Sequence, residues 1–302
     1  VWKLPVIFVI ENNGYGLSTP TNEQYRCENL ADKGVGYGME SHIIDGNNIL
    51  EVFEELTEIV NSIRKKPRPI LIEFKTFRMR GHEEASGTKY VPKELMEMWA
   101  EKDPVDTYRR YLIKQNILTA EQDELWKEEI KKEIEDNLLI ANTEAEIKAS
   151  YENELNDVYK PYYFEEYIPS EKVENIRFID AISQALRQSM QRHQNLVILG
   201  QDIAEYGGAF KITEGFVDEF GKERVINTPI CESAVVSAGM GLSINGYKAI
   251  VEMQFADFVS TGFNPIVNLV AKTHYRWNEK ADIVIRMPCG AGTQAGPFHS
   301  QT

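Results

Sequence analysis

The sequence has no long hydrophobic run and few cysteines. No window approaches the roughly 20 consecutive apolar residues that a membrane-spanning helix requires, and the mean hydropathy is −0.38. The three cysteines, Cys27, Cys231 and Cys289, lie far apart and form no C-x-x-C pair, so they indicate neither a disulfide framework nor a zinc site. The first residues show neither the basic region nor the cleavage site of a signal peptide. We expect a cytoplasmic globular protein.

The sequence also lacks a basic cluster. It has 47 acidic and 33 basic residues and a formal net charge of −14, whereas nucleic acids and anionic lipids bind to a concentrated basic face. Residues 121–160 hold 13 acidic and 5 basic residues, so most of the acidic excess is local. We expect neither a nucleic-acid partner nor a membrane partner.

Two series of strand and helix patterns predict an α/β fold with mainly parallel sheets. Residues 6–10 form an unbroken apolar run, which predicts a central parallel strand covered on both faces. Residues 48–64 repeat apolar side chains at helical spacing, and residues 70–74 predict the next strand. The second series consists of a helix at 177–193, a strand at 196–199, a small-residue helix at 232–245, a strand at 249–255, a helix at 263–277 and a strand at 282–287.

The length suggests two domains, each with its own core. Thr119 opens a predicted helix that ends at about residue 142, and Asp103 is the predicted cap of another, with Pro104 as its first residue. The tyrosine-rich stretch that follows has two prolines and resembles a linker. We predict domains at residues 1–160 and 176–302, a linker at 161–175, and an acidic helical segment that joins them.

The first candidate site follows the first strand. Asn12, Asn13, Gly14 and Tyr15 lie at the carboxyl end of that strand, where open α/β sheets bind ligands. An Asn side-chain oxygen and a backbone carbonyl two residues later suit Mg²⁺, which takes oxygen ligands and shares them with phosphates. An ordinary Asn-Gly turn explains the same residues, and the motif alone leaves both interpretations open.

The second candidate is the loop at residues 76–91, which is too long for a simple connection. Arg78 and Arg80 can bind a phosphate through forked hydrogen bonds. Gly81 permits close approach, and His82 can exchange protons near neutral pH. A charged surface loop with a structural histidine is the alternative.

Glu232 is the third candidate, at the start of the predicted small-residue helix. An acid there can simply interact with the helix dipole. It can also exchange a proton with a ring nitrogen of a ligand, provided that its pKa suits this task.

The fourth candidate is a glycine-rich loop at residues 290–301, which contains His299 and follows a predicted strand. It lacks the G-x-G-x-x-G spacing and the subsequent helix of a dinucleotide-binding motif, so a nicotinamide or flavin site is not indicated. We expect a mobile active-site loop.

Taken together, these motifs resemble the thiamine diphosphate-dependent decarboxylating (first) component of the 2-oxo acid dehydrogenase complexes over essentially the whole chain. The first half resembles the alpha subunit, whose diphosphate motif ends in an Asn pair such as Asn12 and Asn13. The second half resembles the beta subunit at residues 202–209, 228–232 and 299–301. The subunits look fused. The chain also looks like an internal segment, because the Gly-Asp-Gly that opens the family's motif is absent.

The resemblance implies two thiamine diphosphate-binding-fold domains and a role for each matching residue. Asn13 through its side chain and Tyr15 through its carbonyl would hold Mg²⁺, and Arg78 would reach the diphosphate. Glu232 would hydrogen-bond the aminopyrimidine ring of thiamine diphosphate. His82 would lie beside the diphosphate, on the loop that shapes the substrate entrance.

Four further residues are assigned to the second domain. By the resemblance, His299 would serve the transfer of the acyl group to a lipoyl arm. Gln254, Phe255 and Phe258, on or just after a predicted strand, are candidates for lining the cofactor or substrate pocket. Ordinary core packing explains the two phenylalanines equally well.

The implied activity is the oxidative decarboxylation of a 2-oxo acid, with acyl transfer to a lipoylated acyltransferase component. Residues 252–258 resemble the branched-chain members of the family more than the pyruvate members, which implies a substrate of the 3-methyl-2-oxobutanoate type; pyruvate is the alternative. A non-catalytic module that pairs with other subunits is a further hypothesis, which the absent Gly-Asp-Gly favours and Glu232, Arg78 and His299 oppose. The family's cofactor lies between domains of different subunits, so we expect a homo-oligomer.

Overall fold

The computed structural model describes residues 2–83, 85–163, 166, 168, 171, 173–290, 292 and 294–299. The chain divides into two compact units, Val1–Ala145 and Glu146–Thr302. The linker expected at residues 161–175 falls in the second unit by this division, and the domain boundaries predicted from the sequence remain a prediction.

The secondary structure alternates between strands and helices. The strands are β1 (Ile7–Asn12), β2 (Tyr15–Gly16), β3 (Thr19–Pro20), β4 (Glu40–Asp45), β5 (Ile70–Lys75), β6 (Leu196–Gly200), β7 (Val225–Asn227), β8 (Lys248–Glu252) and β9 (Ile283–Arg286). The helices are α1 (Lys33–Gly36), α2 (Ile49–Lys65), α3 (Lys93–Ala100), α4 (Pro104–Lys114), α5 (Ala120–Thr143), α6 (Tyr151–Val158), α7 (Phe178–Arg192), α8 (Phe216–Phe220), α9 (Glu232–Ile244), α10 (Val259–Asn268) and α11 (Thr273–Trp277).

The first unit contains a parallel sheet in the order β1-β5-β4 and a short antiparallel hairpin formed by β2 and β3. Helix α2 covers one face of the parallel sheet. Its Ile59 and Ile63 pack against Ile44, Ile70 and Ile72 of the sheet, and all five side chains are buried. This apolar layer fixes α2 on the sheet and leaves the carboxyl ends of the strands together at one edge.

The ends of α2 follow from its sequence. Asn48 caps the helix by accepting a hydrogen bond from the backbone N–H of Glu51, which satisfies one donor that the first turn leaves unpaired. Arg64 and Lys65 lie in the last turn, where positive charge interacts favourably with the helix dipole. The predicted helix is therefore confirmed to within one residue at each end.

The position of β1 corrects a prediction. The apolar run at residues 6–10 predicts a central strand covered on both faces, but β1 lies at an edge of the described sheet. Phe8 and Val9 are 51% and 52% exposed. The central strand is β5, because it pairs with β1 on one side and with β4 on the other. The physical reason is that hydrophobicity favours burial but does not specify how many strands will pair.

Capping side chains define the starts of α4 and α5, as predicted. Asp103 accepts hydrogen bonds from the backbone N–H groups of Val105 and Asp106 at 2.9 and 3.2 Å, and Thr119 accepts one from Gln122. Helix α5 lies in the predicted acidic segment and has no buried residue. In the described part of the chain, no helix has the length and apolar character needed to cross a bilayer.

The second unit contains a four-stranded parallel sheet in the order β7-β6-β8-β9. Every residue of β6 is buried. Leu186 and Met190 of α7 belong to the core on one face of the sheet, and Val235 and Val236 of α9 belong to the core on the other. The predicted α/β class with mainly parallel sheets is confirmed.

Helix α9 approaches the sheet unusually closely. A Cβ atom placed on Gly239 would lie 2.6 Å from Val251 Cγ2 and 2.9 Å from Ile283 Cδ1. These separations are shorter than side chains tolerate, so only glycine permits this spacing. The close packing predicted from the small residues of this helix is confirmed.

Some elements differ from the sequence prediction. Strands β4 and β7 are not predicted, because polar residues interrupt the short apolar pattern of each. The single helix predicted at residues 263–277 is instead α10 and α11, separated by a 3-10 turn at Val270–Lys272. Apolar residues continue at helical spacing across this turn, so the pattern does not reveal the break.

Candidate active site

The turn after β1 presents the predicted cation ligands. Gly14 has a φ of 82°, a conformation that glycine adopts without strain, and this lets the chain reverse into the β2–β3 hairpin. The Asn13 side-chain oxygen accepts a hydrogen bond from the backbone N–H of Tyr15 at 3.2 Å. Asn13 and Tyr15 are thus neighbours on one turn at the carboxyl edge of the first sheet.

Arg78 joins the loop at residues 76–91 to this turn. Its Nη2 donates to the carbonyl of Leu17 at 2.8 Å and to the hydroxyl of Tyr90 at 3.1 Å. Its Nη1 lies 3.3 Å from Nδ1 of the exposed His82. The structure therefore brings the predicted residues Arg78 and His82 together, and it brings Arg78 to the hairpin that also carries Tyr15.

Aromatic side chains support the same arrangement. The Tyr15 ring contacts Phe77 and Tyr90 edge-on, with centroid distances of 6.2 and 5.8 Å, and Phe77 stacks on Trp99 at 5.6 Å. Such contacts favour defined relative orientations of the rings. They hold the Tyr15 backbone and the start of the Arg78 loop as one structural group.

The donor chemistry of this turn fits a hard divalent cation. Mg²⁺ prefers oxygen ligands and completes its octahedron with water and phosphate oxygens. An amide oxygen has two lone pairs, so the hydrogen bond to the Asn13 oxygen leaves one available, and the Tyr15 carbonyl adds a second oxygen. Within the described ranges, no group of three or more His, Cys, Asp or Glu side chains is placed to hold a metal. The fit therefore depends on the amide and carbonyl oxygens together with those of a phosphate.

The second unit presents Glu232 at the first residue of α9. The side chain is half-buried, and its Oε1 accepts one long hydrogen bond, 3.3 Å, from Nε2 of the buried Gln201. Gln201 directly follows β6, so Glu232 lies by the carboxyl end of that strand. A carboxylate accepts several hydrogen bonds, and this single long one leaves capacity for a ring nitrogen or an exocyclic amine of a ligand.

His299 lies against two predicted pocket residues. Its ring centroid is 4.7 Å from that of Phe255 and 5.6 Å from that of Phe258, both edge-on. Phe255, His299 and Arg286 also line a cavity of about 680 Å³ together with apolar side chains of α7. Gln254 turns elsewhere and donates to the Asp202 carboxylate at 3.0 Å.

The predicted residues thus form separate groups in the two units. Asn13, Tyr15, Arg78 and His82 share one edge of the first unit. In the second unit His299 contacts Phe258, whereas Glu232 and Gln254 bond to Gln201 and Asp202. Ser300 and Gln301, which belong to the predicted glycine-rich loop, lie outside the described residues.

Sequence reasoning missed two residues near the first site. Glu73 is fully buried and bonds to Asn12 at 2.6 Å. Glu73 is the one charged residue in the apolar run at 70–74, and this could have marked it as a candidate functional residue. Tyr90, which bonds to Arg78, gave no such indication, because its neighbours in the sequence form no pattern.

Known protein families match both halves of the chain. Residues 1–150 match the dehydrogenase E1 component family, and residues 174–302 match the pyrimidine binding domain of transketolase. Both families depend on thiamine diphosphate, typically with a divalent metal such as Mg²⁺, so fold and sequence together define a thiamine diphosphate-dependent protein. More specifically, the chain belongs to the E1 component of the 2-oxo acid dehydrogenases.

Curated relatives are similar to part of the chain. The 2-oxoisovalerate dehydrogenase subunit beta of Bacillus subtilis is 42% identical over 127 residues, which are 41% of this chain and 39% of the relative. The 2-oxoisovalerate dehydrogenase subunit beta 2, mitochondrial, of Arabidopsis thaliana is 38% identical over 136 residues, 44% and 38% of the two chains. The pyruvate dehydrogenase E1 component subunit beta of Leifsonia xyli is 36% identical over 135 residues, 44% and 40%. The chain therefore spans about two-fifths of the length of these relatives.

Proposed function

We propose that the protein containing this chain oxidatively decarboxylates a branched-chain 2-oxo acid of the 3-methyl-2-oxobutanoate type. The acyl group then passes to a lipoylated acyltransferase partner. The observation that carries the proposal is Glu232, a half-buried carboxylate with spare acceptor capacity at the start of α9, by the carboxyl end of β6. Two relatives named as 2-oxoisovalerate dehydrogenases support the branched-chain substrate.

In this proposal the first unit binds the charged end of the cofactor. Asn13 through Oδ1 and Tyr15 through its carbonyl bind Mg²⁺. Arg78 binds a diphosphate oxygen through its guanidinium, which already lies at the same hairpin. His82, hydrogen-bonded to Arg78, is exposed and can exchange a proton at the mouth of the site.

The second unit acts on the ring end and on the acyl group. Thiamine diphosphate, when bound, supplies a carbon nucleophile and accepts the electrons released by decarboxylation. Glu232 holds a hydrogen bond to the aminopyrimidine ring and thereby fixes its protonation state. Phe258 lines the ring pocket, and His299, which packs on Phe255 and Phe258, exchanges a proton during acyl transfer.

The test of Glu232 is the substitution Glu232→Gln in the full-length protein. Because the amide cannot exchange the proton that the carboxyl exchanges, we expect kcat for 3-methyl-2-oxobutanoate to fall by about a hundredfold or more. Glu223→Gln, an exposed carboxylate of the same unit, is the matched control and should leave kcat unchanged. Normal turnover by Glu232→Gln would overturn the proposal.

The substrate is tested by comparing kcat/KM for 3-methyl-2-oxobutanoate and pyruvate with the full-length protein and its lipoylated partner. We expect a preference for the branched-chain acid. A preference for pyruvate would favour the second candidate, which the Leifsonia xyli relative supports. Absence of turnover together with absence of thiamine diphosphate binding would favour a non-catalytic pairing module instead.

A further inference from the structure

Glu73 is a buried carboxylate on the face of the first sheet opposite the apolar core. It lies on the central strand β5 and is 0% exposed. Removing a charge from water is costly unless hydrogen bonds replace its hydration. Here Oε1 accepts from Asn12 Nδ2 and from Lys75 Nζ, each at 2.6 Å, and Oε2 accepts from the backbone N–H of Ala31 at 2.8 Å. The carboxylate is therefore charged, fully engaged and fixed in position.

These bonds reach the turn that carries the proposed Mg²⁺ ligands. The Asn12 amide nitrogen donates to Glu73 and to the Tyr25 hydroxyl, 3.1 Å away, so both of its protons are used. The Asn12 oxygen accepts from the backbone N–H of Gly14 at 3.3 Å. Both ends of the Asn12 side chain are thus held, and the next residue in the chain is Asn13.

We propose that Glu73 is a positioning residue for the divalent cation. Through Asn12 it orients the turn so that the oxygens of Asn13 and Tyr15 face the same ligand, although Glu73 itself does not contact the ion. Residues that orient metal ligands through hydrogen bonds are needed for full metal affinity. The proposal rests on the proposed function, because Asn13 and Tyr15 are the cation ligands only in that account.

The first experiment replaces Glu73 by glutamine in the full-length protein. In Glu73→Gln the amide NH₂ group faces donors, either Asn12 and Lys75 or Ala31, so at least one of the three hydrogen bonds is lost. We expect the affinity for Mg²⁺, measured by calorimetry at saturating thiamine diphosphate, to fall about 10- to 100-fold. Unchanged affinity would overturn the proposal.

The second experiment reverses the polarity of the key bond. In the double variant Asn12→Asp with Glu73→Gln, the glutamine amide donates to the aspartate, and the total charge is unchanged. We expect this pair to recover most of the Mg²⁺ affinity that Glu73→Gln loses, as a double-mutant cycle measures. If Glu73 only stabilises the fold, the double variant should recover Mg²⁺ affinity to no greater extent than it recovers the melting temperature.

Two controls separate the possible failures. Glu40→Gln removes a carboxylate from the amino-terminal end of β4, which lies in the same sheet but away from the carboxyl ends of its strands, where the proposed Mg²⁺ ligands are. This variant should leave the Mg²⁺ affinity unchanged. Asn13→Ala should abolish Mg²⁺ binding; if it does not, the cation ligands assigned in the proposed function are wrong, and the role of Glu73 is wrong with them. If Asn13→Ala abolishes binding while Glu73→Gln does not weaken it, only the role of Glu73 is wrong.

A milder variant covers the case in which Glu73→Gln does not fold. Tyr25→Phe removes the other acceptor of the Asn12 amide and leaves the buried carboxylate intact. We expect a smaller loss of Mg²⁺ affinity, about two- to fivefold. Unchanged affinity in Tyr25→Phe, with Glu73→Gln unfolded, would count against positioning through Asn12.

Discussion

Glu40, at the start of β4, shows how a partly exposed carboxylate couples the fold to pH. Its Oε1 lies 2.9 Å from His42 Nε2, and its Oε2 accepts from Arg68 Nε at 2.7 Å. The hydrogen bond with His42, followed by that from Arg68, holds the pKa of this carboxyl below its usual value, while burial opposes them. The charged form of Glu40 is therefore favoured in the folded protein.

This lowered pKa predicts the sign of a pH effect on stability. The unfolded chain binds the Glu40 proton more tightly than the folded chain does, so the carboxylate stabilises the fold above roughly pH 4.3. The contribution is lost as the pH falls through the folded pKa. We expect Glu40→Gln to lower the free energy of unfolding by less than about 1 kcal/mol near neutral pH, with the difference vanishing in acid. Urea unfolding at several pH values measures it, and a pH-independent difference would contradict the prediction.

At the residue scale, the sequence predicts side chains that are close in the chain better than those that are distant. Asn13 and Tyr15 share a turn, and Arg78 and His82 lie four positions apart in one loop. Local motifs therefore point to both pairs. The hydrogen bond that Asn12 donates to Glu73 joins residues 61 positions apart. Only strand pairing brings those two together, and the sequence does not state which strands pair.

Helix α9 shows how element packing depends on single atoms. Gly239 faces the sheet so closely that an added methyl group would overlap Val251 and Ile283, whereas Gly241 on the same helix has no atom within 4 Å of an added Cβ. The two glycines therefore share a helix but differ in surroundings, and they form a matched pair.

We predict opposite effects for the two substitutions. Gly239→Ala should lower the free energy of unfolding by about 1–3 kcal/mol, because overpacking outweighs the helix preference of alanine. Gly241→Ala should raise it by up to about 1 kcal/mol, because only the helix preference acts. Thermal or urea unfolding measures both. Equal stabilisation by the two variants would contradict the observed packing.

Predicting elements from the sequence succeeded where apolar spacing and capping residues agree. Helix α2 is bounded by Asn48, and α5 begins after Thr119 as its capping residue predicts. The apolar run of β1 predicts a central strand, whereas the centre of the described sheet is β5. Hydrophobicity measures the preference of a segment for burial, and the order of strands depends on contacts between distant segments.

At the scale of the whole molecule, the proposed cofactor ligands are divided between two units. Asn13 and Arg78 belong to the first unit and Glu232 to the second. We propose that the protein is a homo-oligomer in which each site uses units of different chains. In that arrangement, when a chain with a defective first unit pairs with a chain with a defective second unit, both defects fall in one site. The other site of the pair is then intact.

Mixing inactive variants tests this arrangement. When Asn13→Ala and Glu232→Gln chains are co-expressed in equal amounts, random pairing should restore about a quarter of wild-type turnover, because half of the pairs hold one intact site. Asn13→Ala mixed with Arg78→Ala is the control and should restore none, since both changes affect the first unit. Absence of recovery in the first mixture, with hybrid oligomers demonstrated, would show that each site lies within one chain.

The edge position of β1 bears on how this strand can pair with strands of other molecules. Within the described residues β1 pairs only with β5, so its other side leaves backbone donors and acceptors available, next to the half-exposed Phe8 and Val9. A long apolar edge of this kind is a template for strand addition by further molecules, which is how many proteins aggregate. A charged residue at position 8 or 9 would therefore oppose the addition of such a strand.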